Sequence, residues 1–85
     1  MKLPLIKHLT QFIEANDEDY LVETLEVLEH VTEFSGIKDE EMEVLAELIS
    51  NMYGALEVHK MTKEGVDKKE ALNIFMKRVM GSIDK

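Results

Sequence analysis

Apolar side chains recur every three or four residues along almost the whole sequence, and this period constrains the fold more than any other feature. Such spacing gathers apolar side chains on one face of an α-helix, whereas a half-buried strand needs strict alternation, which the sequence does not show. Pro4, Gly36 and Gly65 stand where the periodic stretches begin or end. We therefore predict an all-α fold in a single domain spanning residues 1–85. The prediction is a compact bundle of about four helices, at approximately 4–15, 17–35, 39–64 and 67–83, with a long third helix.

Residues with known preferences for helix ends set these boundaries. Asn16 or Asp17 is expected to cap the second helix, because a short polar side chain accepts hydrogen bonds from the first backbone amides. Gly36 is expected to end this helix in the left-handed backbone conformation that glycine adopts without steric cost. Gly65 is expected to close the third helix, and Asp67 to cap the fourth.

Each predicted helix carries an apolar stripe that we expect to face the core. The stripes of the first, second and fourth helices are broad, and that of the third gives way to polar residues near its end. The expected core residues are Leu5, Ile6, Leu9, Phe12 and Ile13; Leu21, Leu25, Leu28 and Val31, widened by Tyr20, Val27 and Phe34; Met42, Leu45, Leu48, Ile49, Met52, Tyr53 and Leu56; and Leu72, Phe75, Met76, Val79, Met80 and Ile83.

Composition restricts the class of protein further. The 85 residues include no cysteine, which excludes disulfides, thiolate nucleophiles and thiolate zinc sites. No apolar run approaches the roughly 18 residues of a membrane-spanning helix, and charges interrupt the N-terminal stretch where a signal peptide has its apolar region. We therefore expect a cytoplasmic protein with no membrane partner.

The formal net charge of −8 is concentrated in the middle of the chain. Residues 14–47 contain thirteen acidic side chains and one base, Lys38, for a net of −12, while the segments on either side each carry +2. Because neutralisation of phosphates supplies most nucleic-acid affinity, we expect no nucleic-acid partner. A solvated acidic helix face accounts for the middle segment. Attraction between it and the basic end, within one chain or between two, is the alternative.

Motifs of familiar catalytic and metal chemistry do not occur. The phosphate-cradling, dinucleotide-binding, zinc-protease and nucleophile-elbow patterns are all missing from the sequence. Di-metal bundles need Glu-x-x-His, but Leu5, Val27 and Leu56 stand three residues before the histidines. Glu26 and His30 are four apart on a polar face, and we expect them to be solvated rather than to bind a metal. We therefore predict no cofactor and no enzymatic activity.

Ala46, Ser50 and Gly54 form a small-residue strip on the third helix, four residues apart and away from the centre of its apolar stripe. Glycine inside a helix costs about 0.5–1 kcal/mol relative to alanine, so we expect close approach of another helix to offset it; a tolerated glycine is the alternative. Ile74 lies opposite the apolar stripe of the fourth helix, and Arg78 flanks that stripe. We predict a protein-interaction module that forms a homodimer through these five residues, with a further protein of unknown identity as the other partner class.

A second interpretation is a small-molecule or metal-binding protein with a site near Tyr53, His59 and Arg78. His59 continues the stripe of the third helix, where a partly buried structural histidine is the alternative. Arg78 is the only arginine, and its planar guanidinium can hold a carboxylate through two hydrogen bonds. We expect it either to pair with an acidic residue of the second or third helix or to lie on the surface. Convergence of the three side chains in one cavity would favour this interpretation over the interaction module.

Three segments resemble a small family of uncharacterised helical proteins from Bacteroidota bacteria of marine and soil habitats. The resemblance spans essentially the whole chain and implies a bacterial cytoplasmic protein. That family has no assigned activity, so the resemblance transfers no site residues. The segments are Leu3-Pro4-Leu5-Ile6-Lys7-His8-Leu9, Asn51-Met52-Tyr53-Gly54-Ala55 and Phe75-Met76-Lys77-Arg78-Val79-Met80-Gly81-Ser82.

Overall fold

The computed structural model describes the backbone of residues 2–83 and the side chains of residues 2–79. Within that backbone the chain forms four α-helices and no strand, so the predicted all-α fold with a long third helix is confirmed. The helices are α1 (Leu3–Ala15), α2 (Asp19–Val31), α3 (Asp39–Lys63) and α4 (Lys68–Ile83).

Aspartate side chains mark the starts of α2 and α4, as predicted. The Asp17 carboxylate accepts a hydrogen bond from the Asp19 amide at 3.1 Å. The Asp67 carboxylate accepts one from the Lys69 amide at 3.2 Å. Each bond satisfies an amide that has no carbonyl partner inside its own helix, which stabilises the helix start.

The end of α2 differs from the prediction, because the helix stops at Val31 rather than near residue 35. The Thr32 hydroxyl donates to the Glu29 carbonyl at 2.6 Å. In a continuing helix the Glu29 carbonyl would accept the Glu33 amide. The Glu33 amide instead donates to the His30 carbonyl at 3.0 Å. A side-chain donor thus occupies the Glu29 carbonyl where the helix ends.

Gly65, and not Gly36, has the left-handed conformation. Gly65 has φ +101° and closes α3 as predicted. No other glycine in the described part of the chain has a positive φ. The expectation of this conformation at Gly36 is therefore wrong. A Cβ atom at Gly36 would lie 2.6 Å from Phe34 Cζ, so this glycine accommodates the aromatic ring of its neighbour.

The long helix α3 is the centre of the bundle, since α1, α2 and α4 all pack against it and α1 also contacts α4. The described residues extend over 43 × 35 × 17 Å. Apolar side chains from all four helices form one core. Its buried members are Ile6, Ile13, Leu21, Ala55, Val58, Met61, Ala71, Leu72 and Phe75.

The buried face of α3 is rotated from the predicted stripe. The buried residues of this helix are Asn51, Gly54, Ala55, Val58 and Met61. The expected stripe lies beside this face: Met52 and Leu56 are half-buried against the core, and Tyr53 is 48% exposed. Small residues face α1 and α4 because they let neighbouring helices come close.

Other side chains expected in the core lie on the surface. These exceptions lie near the end of α1, along α2 and just after α2, on the exposed sides of these segments. Met80 and Ile83 lie outside the described side chains. The exposed exceptions are Phe12, Tyr20, Val27, Val31 and Phe34.

Candidate functional site

A shallow groove between α3 and α4 brings together several of the predicted site residues. Ser50, Gly54 and Arg78 from the proposed interface line this groove, and so does Tyr53 from the second interpretation. The groove encloses about 440 Å³. The complete lining is Ser50, Tyr53, Gly54, Glu57, Phe75, Arg78 and Val79, which we call the α3–α4 groove.

Gly54 allows α4 to pack closely against α3. A Cβ atom at this position would lie 2.9 Å from Phe75 Cζ and 3.1 Å from Ile6 Cδ1. Both neighbours are buried side chains of the same chain, Phe75 at 7% and Ile6 at 0% exposure. The expected close approach at Gly54 is therefore made within the chain, by residues of α4 and α1.

The other predicted interface residues lie around the groove. Ala46 is exposed on α3, two turns before Gly54, and Ser50 is half-buried between them. Ile74 is 36% exposed on α4. Neither Ala46 nor Ile74 lines the groove itself. The five residues thus occupy one side of the α3–α4 pair, and their role in self-association stays a prediction.

Arg78 forms an interhelical ion pair. Its Nη1 atom donates to Glu57 Oε1 at 2.9 Å, joining α4 to α3. This confirms that an acidic residue of the third helix is a partner of Arg78. Both side chains are more than a third exposed, so solvent screening limits the contribution of this pair to stability.

Tyr53 connects α3 to α2 through its hydroxyl group, which donates to Glu29 Oε2 at 2.7 Å. The hydrogen bond to the carboxylate favours the neutral phenol and raises the pKa of Tyr53 above 10.0. Lys63, near the end of the same helix, forms an ion pair with Glu18 at 2.9 Å, which raises the pKa of the Lys63 ammonium. These groups hold α2 against α3.

His59 does not meet Tyr53 and Arg78 in one cavity. It is half-buried and is not part of the α3–α4 groove lining. Its backbone carbonyl accepts a hydrogen bond from the Thr62 hydroxyl at 2.7 Å. Its Nδ1 atom is buried and has no hydrogen-bond partner among the described residues. The predicted three-residue site is therefore not assembled in this structure.

Asn51 is a buried structural residue that the sequence interpretation missed. It is completely buried, and its Oδ1 atom accepts the Lys2 amide at 2.9 Å while its Nδ2 atom donates to the Glu47 carbonyl at 2.6 Å. The side chain therefore ties the beginning of α1 to the middle of α3. The helical spacing of Asn51 indicates its burial, because it lies four residues before Ala55 and seven before Val58 on the buried face of α3.

A second groove, at the corner where α2 leads into α3, was also missed. It encloses about 540 Å³ and its lining is mostly apolar. Phe34 is 66%, Val44 60% and Val31 38% exposed, so these side chains have little cover from the rest of the chain. We call it the corner groove, and its lining residues are Val31, Phe34, Ile37, Glu40, Glu41, Val44 and Leu45.

Comparison with protein-family models identifies one match, described as a family of unknown function (DUF6952), over residues 1–84. The chain belongs to the DUF6952 family. The predicted membership of an uncharacterised family is thus confirmed. No curated protein and no solved structure matches the chain significantly.

Clustered metal ligands and membrane-spanning helices are both absent from the described part of this DUF6952 chain. Among those residues, no group of three or more histidine and acidic side chains is arranged to hold a metal ion. None of the helices, over the residues searched, has both the length and the apolar character needed to cross a bilayer. Among the surface grooves of this DUF6952 chain, the α3–α4 groove has side chains of both charges and the corner groove is apolar with acidic neighbours.

Proposed function

We propose that this DUF6952 chain is a non-enzymatic protein-interaction module that acts as a homodimer. The observation that supports the proposal is the amount of apolar side chain left on the surface of a small domain. Single exposed hydrophobic residues are ordinary, but grouped ones favour association because burying them in an interface removes them from water. Nine large hydrophobic side chains are at least 36% exposed: Phe12, Tyr20, Val22, Val27, Val31, Phe34, Val44, Tyr53 and Ile74.

The side of the molecule around the α3–α4 groove suits contact with a second copy. In a two-fold dimer each surface meets an identical surface, so a self-complementary face carries both signs of charge. Arg78 and Glu57 supply the two signs side by side, 2.9 Å apart. Tyr53, 48% exposed, and Ile74, 36% exposed, supply apolar area near them. In a dimer, each Arg78 would be within reach of the carboxylate of its own chain and that of the partner copy.

The small residues at Ala46 and Ser50 extend this face along α3. Ala46 is exposed and Ser50 is half-buried, so neither fills the space beside the helix. Small side chains let the backbones of two helices approach closely, which increases the packing contacts between them. A stable interface buries on the order of 1,200–2,000 Å² in total. We propose that the exposed part of α3 from Ala46 to Tyr53, together with Ile74 and Arg78 of α4, forms this interface.

Molar mass measured by light scattering during size-exclusion chromatography tests the proposal. At a concentration of about 50 µM we expect about twice the chain mass of 9.8 kDa. Ile74→Glu is expected to shift the mass toward that of one chain, because two buried carboxylates would be added to a symmetric interface. Val27→Glu is the matched control, since Val27 is a β-branched residue on α2 that is 63% exposed and does not line the α3–α4 groove. A mass of one chain for the unaltered protein would refute the homodimer.

A further inference from the structure

The corner groove is apolar and remains uncovered by the described residues of the chain. The Phe34 ring, 66% exposed, lies over Gly36 at one side, and Val44, 60% exposed, lies on the first half of α3 at the other. Val27, 63% exposed, continues the apolar surface one turn back along α2 from Val31. A contiguous apolar surface of this kind on a small domain marks a place where another molecule binds.

The charges around the corner groove are almost all negative. Glu40 and Glu41 belong to its lining, and no basic residue does. Over residues 23–47, which include the whole groove, nine acidic side chains stand against the single base Lys38, for a net of −8. The ion pairs of Glu14, Glu18 and Glu57 do not involve Glu40 or Glu41 of the groove lining. A partner for this groove therefore has to bring positive charge.

A second copy of the chain does not meet this requirement. Two-fold pairing through the corner groove would place one acidic surface against another, which like-charge repulsion opposes. Pairing of the groove with the basic end of another copy would be head-to-tail, and such contacts propagate into open assemblies unless the rotation closes a ring. Lys63, Lys68 and Arg78 of that end already form ion pairs within the chain, and Lys60, Lys69 and Lys77 are the exposed bases outside those pairs. The open head-to-tail geometry is therefore the argument against a second copy.

We propose that the corner groove binds a basic amphipathic helix of a different protein. The apolar face of such a helix would cover Phe34, Val44 and Val31, and its lysine and arginine residues would lie beside Glu40 and the other carboxylates at the start of α3. Helix-in-groove recognition of this kind uses apolar residues at positions i, i+3, i+4 and i+7 as anchors. The charges increase the association rate and select against acidic partners. This surface is separate from the α3–α4 face, so the inference does not depend on the homodimer.

A synthetic peptide tests the inference directly. The probe is a fluorescently labelled helix of about 18 residues with leucines on one face and lysines on the other. Fluorescence anisotropy measures its binding to the full chain. The two control peptides have the same composition in scrambled order, which removes the apolar face, and the same pattern with glutamate in place of lysine. We expect saturable binding of the amphipathic basic peptide and at least tenfold weaker binding of both controls.

Matched variants locate the binding site on the protein. Val44→Ser is expected to weaken binding by about fivefold to tenfold, because the valine anchor is lost, while Val22→Ser on another face leaves binding unchanged. Glu40→Lys is expected to weaken binding and to reduce its dependence on salt. Glu70→Lys is its control, since Glu70 is also an exposed acidic residue in the first turn of a helix. These surface changes are not expected to prevent folding, which circular dichroism checks.

Several results would overturn the inference. A dissociation constant weaker than about 1 mM for the amphipathic peptide would do so. Equal binding of the scrambled peptide, or equal losses in the Val44 and Val22 variants, would show attraction to overall charge rather than occupancy of the groove. A change of molar mass in Val44→Ser would assign the groove to self-association instead. The peptide-binding outcomes do not bear on the Ile74→Glu experiment, so failure of the two proposals is distinguishable.

Discussion

Replacing Gly54 by leucine tests how α3 and α4 fit together. The glycine is buried, and even a single Cβ atom would lie 2.9 Å from Phe75 Cζ, closer than nonbonded carbon atoms normally come. The second neighbour, Ile6 Cδ1, lies 3.1 Å away and comes from α1. Leucine would add three further carbon atoms in this confined space. The Phe75 ring and the Ile6 side chain would both have to move, or α4 would have to shift away from α3.

Two opposing effects determine the size of the change. Enlarging a side chain in a well-packed core typically costs about 1–3 kcal/mol. The helix propensity of leucine exceeds that of glycine by about 0.8 kcal/mol, which acts in the stabilising direction. Because Gly54 is in contact with two buried side chains, we expect overpacking to dominate and the free energy of unfolding to fall by about 1–2 kcal/mol. For a domain of this length, that corresponds to a melting temperature lower by roughly 5–15 °C.

Thermal and urea unfolding followed by far-ultraviolet circular dichroism measures the effect. Glu43→Leu is the matched control, because Glu43 lies on α3, is exposed and is outside the proposed dimer interface. We expect its melting temperature to differ little from that of the unaltered chain, since leucine and glutamate have similar helix propensities. Both variants add an apolar side chain to α3, so the difference between them isolates the contact made at Gly54.

A double-mutant cycle shows whether Phe75 is the cause. Leucine at position 75 lacks the Cζ atom, so Gly54→Leu is expected to cost less in a Phe75→Leu background. The coupling free energy should be about 0.5–3 kcal/mol, the range for residues in contact. A higher melting temperature for Gly54→Leu would mean that position 54 faces solvent. Equal costs in both backgrounds would mean that the loss does not come from the Phe75 contact. Either result would refute the packing described at Gly54.

Three further predictions follow from contacts in the structure. Asn51→Leu should lower the free energy of unfolding in urea by about 1–3 kcal/mol, because the Lys2 amide loses its acceptor. An unchanged free energy of unfolding would contradict the hydrogen bond between Lys2 and Asn51. Tyr53, in a background without the other tyrosine, should ionise above pH 10.0, and Glu29→Gln should move its absorbance titration down toward that value. The raised pKa means that the Tyr53–Glu29 hydrogen bond stabilises the fold below pH 10.0, and that this stabilisation is lost as pH rises through the raised pKa. A Tyr53 titration unaffected by Glu29→Gln would refute the hydrogen bond. Gly65→Ala should cost about 1–2 kcal/mol although open space surrounds the position, because φ is +101°, and an equally stable variant would argue against that conformation.

The order and extent of the helices followed from local sequence, and the exception has a local cause. Asp17, Asp67 and Gly65 act on backbone groups within a few residues of themselves, so their positions alone predict helix ends. At the missed end of α2 the Thr32 hydroxyl bonds the Glu29 carbonyl. Thr10 makes the same bond inside α1, which continues to Ala15, so a threonine in the sequence does not by itself predict a helix end.

The buried face of α3 was harder to predict than its length. An amphipathic pattern identifies the core side of a helix that packs on one surface, but α3 is contacted by three helices and is covered over much of its circumference. How close the helices come then decides burial, and this favours Gly54, Ala55 and Asn51 over larger apolar residues. The same geometry explains the corner groove. Val31 and Phe34 have core-like spacing, yet they stay exposed beside the start of α3, because only tertiary structure determines which apolar stripe is covered.

The bond between Asn51 and the Lys2 amide has a consequence for how the protein is synthesised. Its two residues are 49 positions apart, and α1 buries Ile6 and Ile13 mainly against α3. Translation at about 5–20 residues per second separates the two ends of this bond by roughly 2–10 s. During that interval the nascent chain has made α1 but not the helix on which it packs. Docking of α1 is therefore timed by the emergence of α3, and the core is completed only when Ala71, Leu72 and Phe75 of α4 follow.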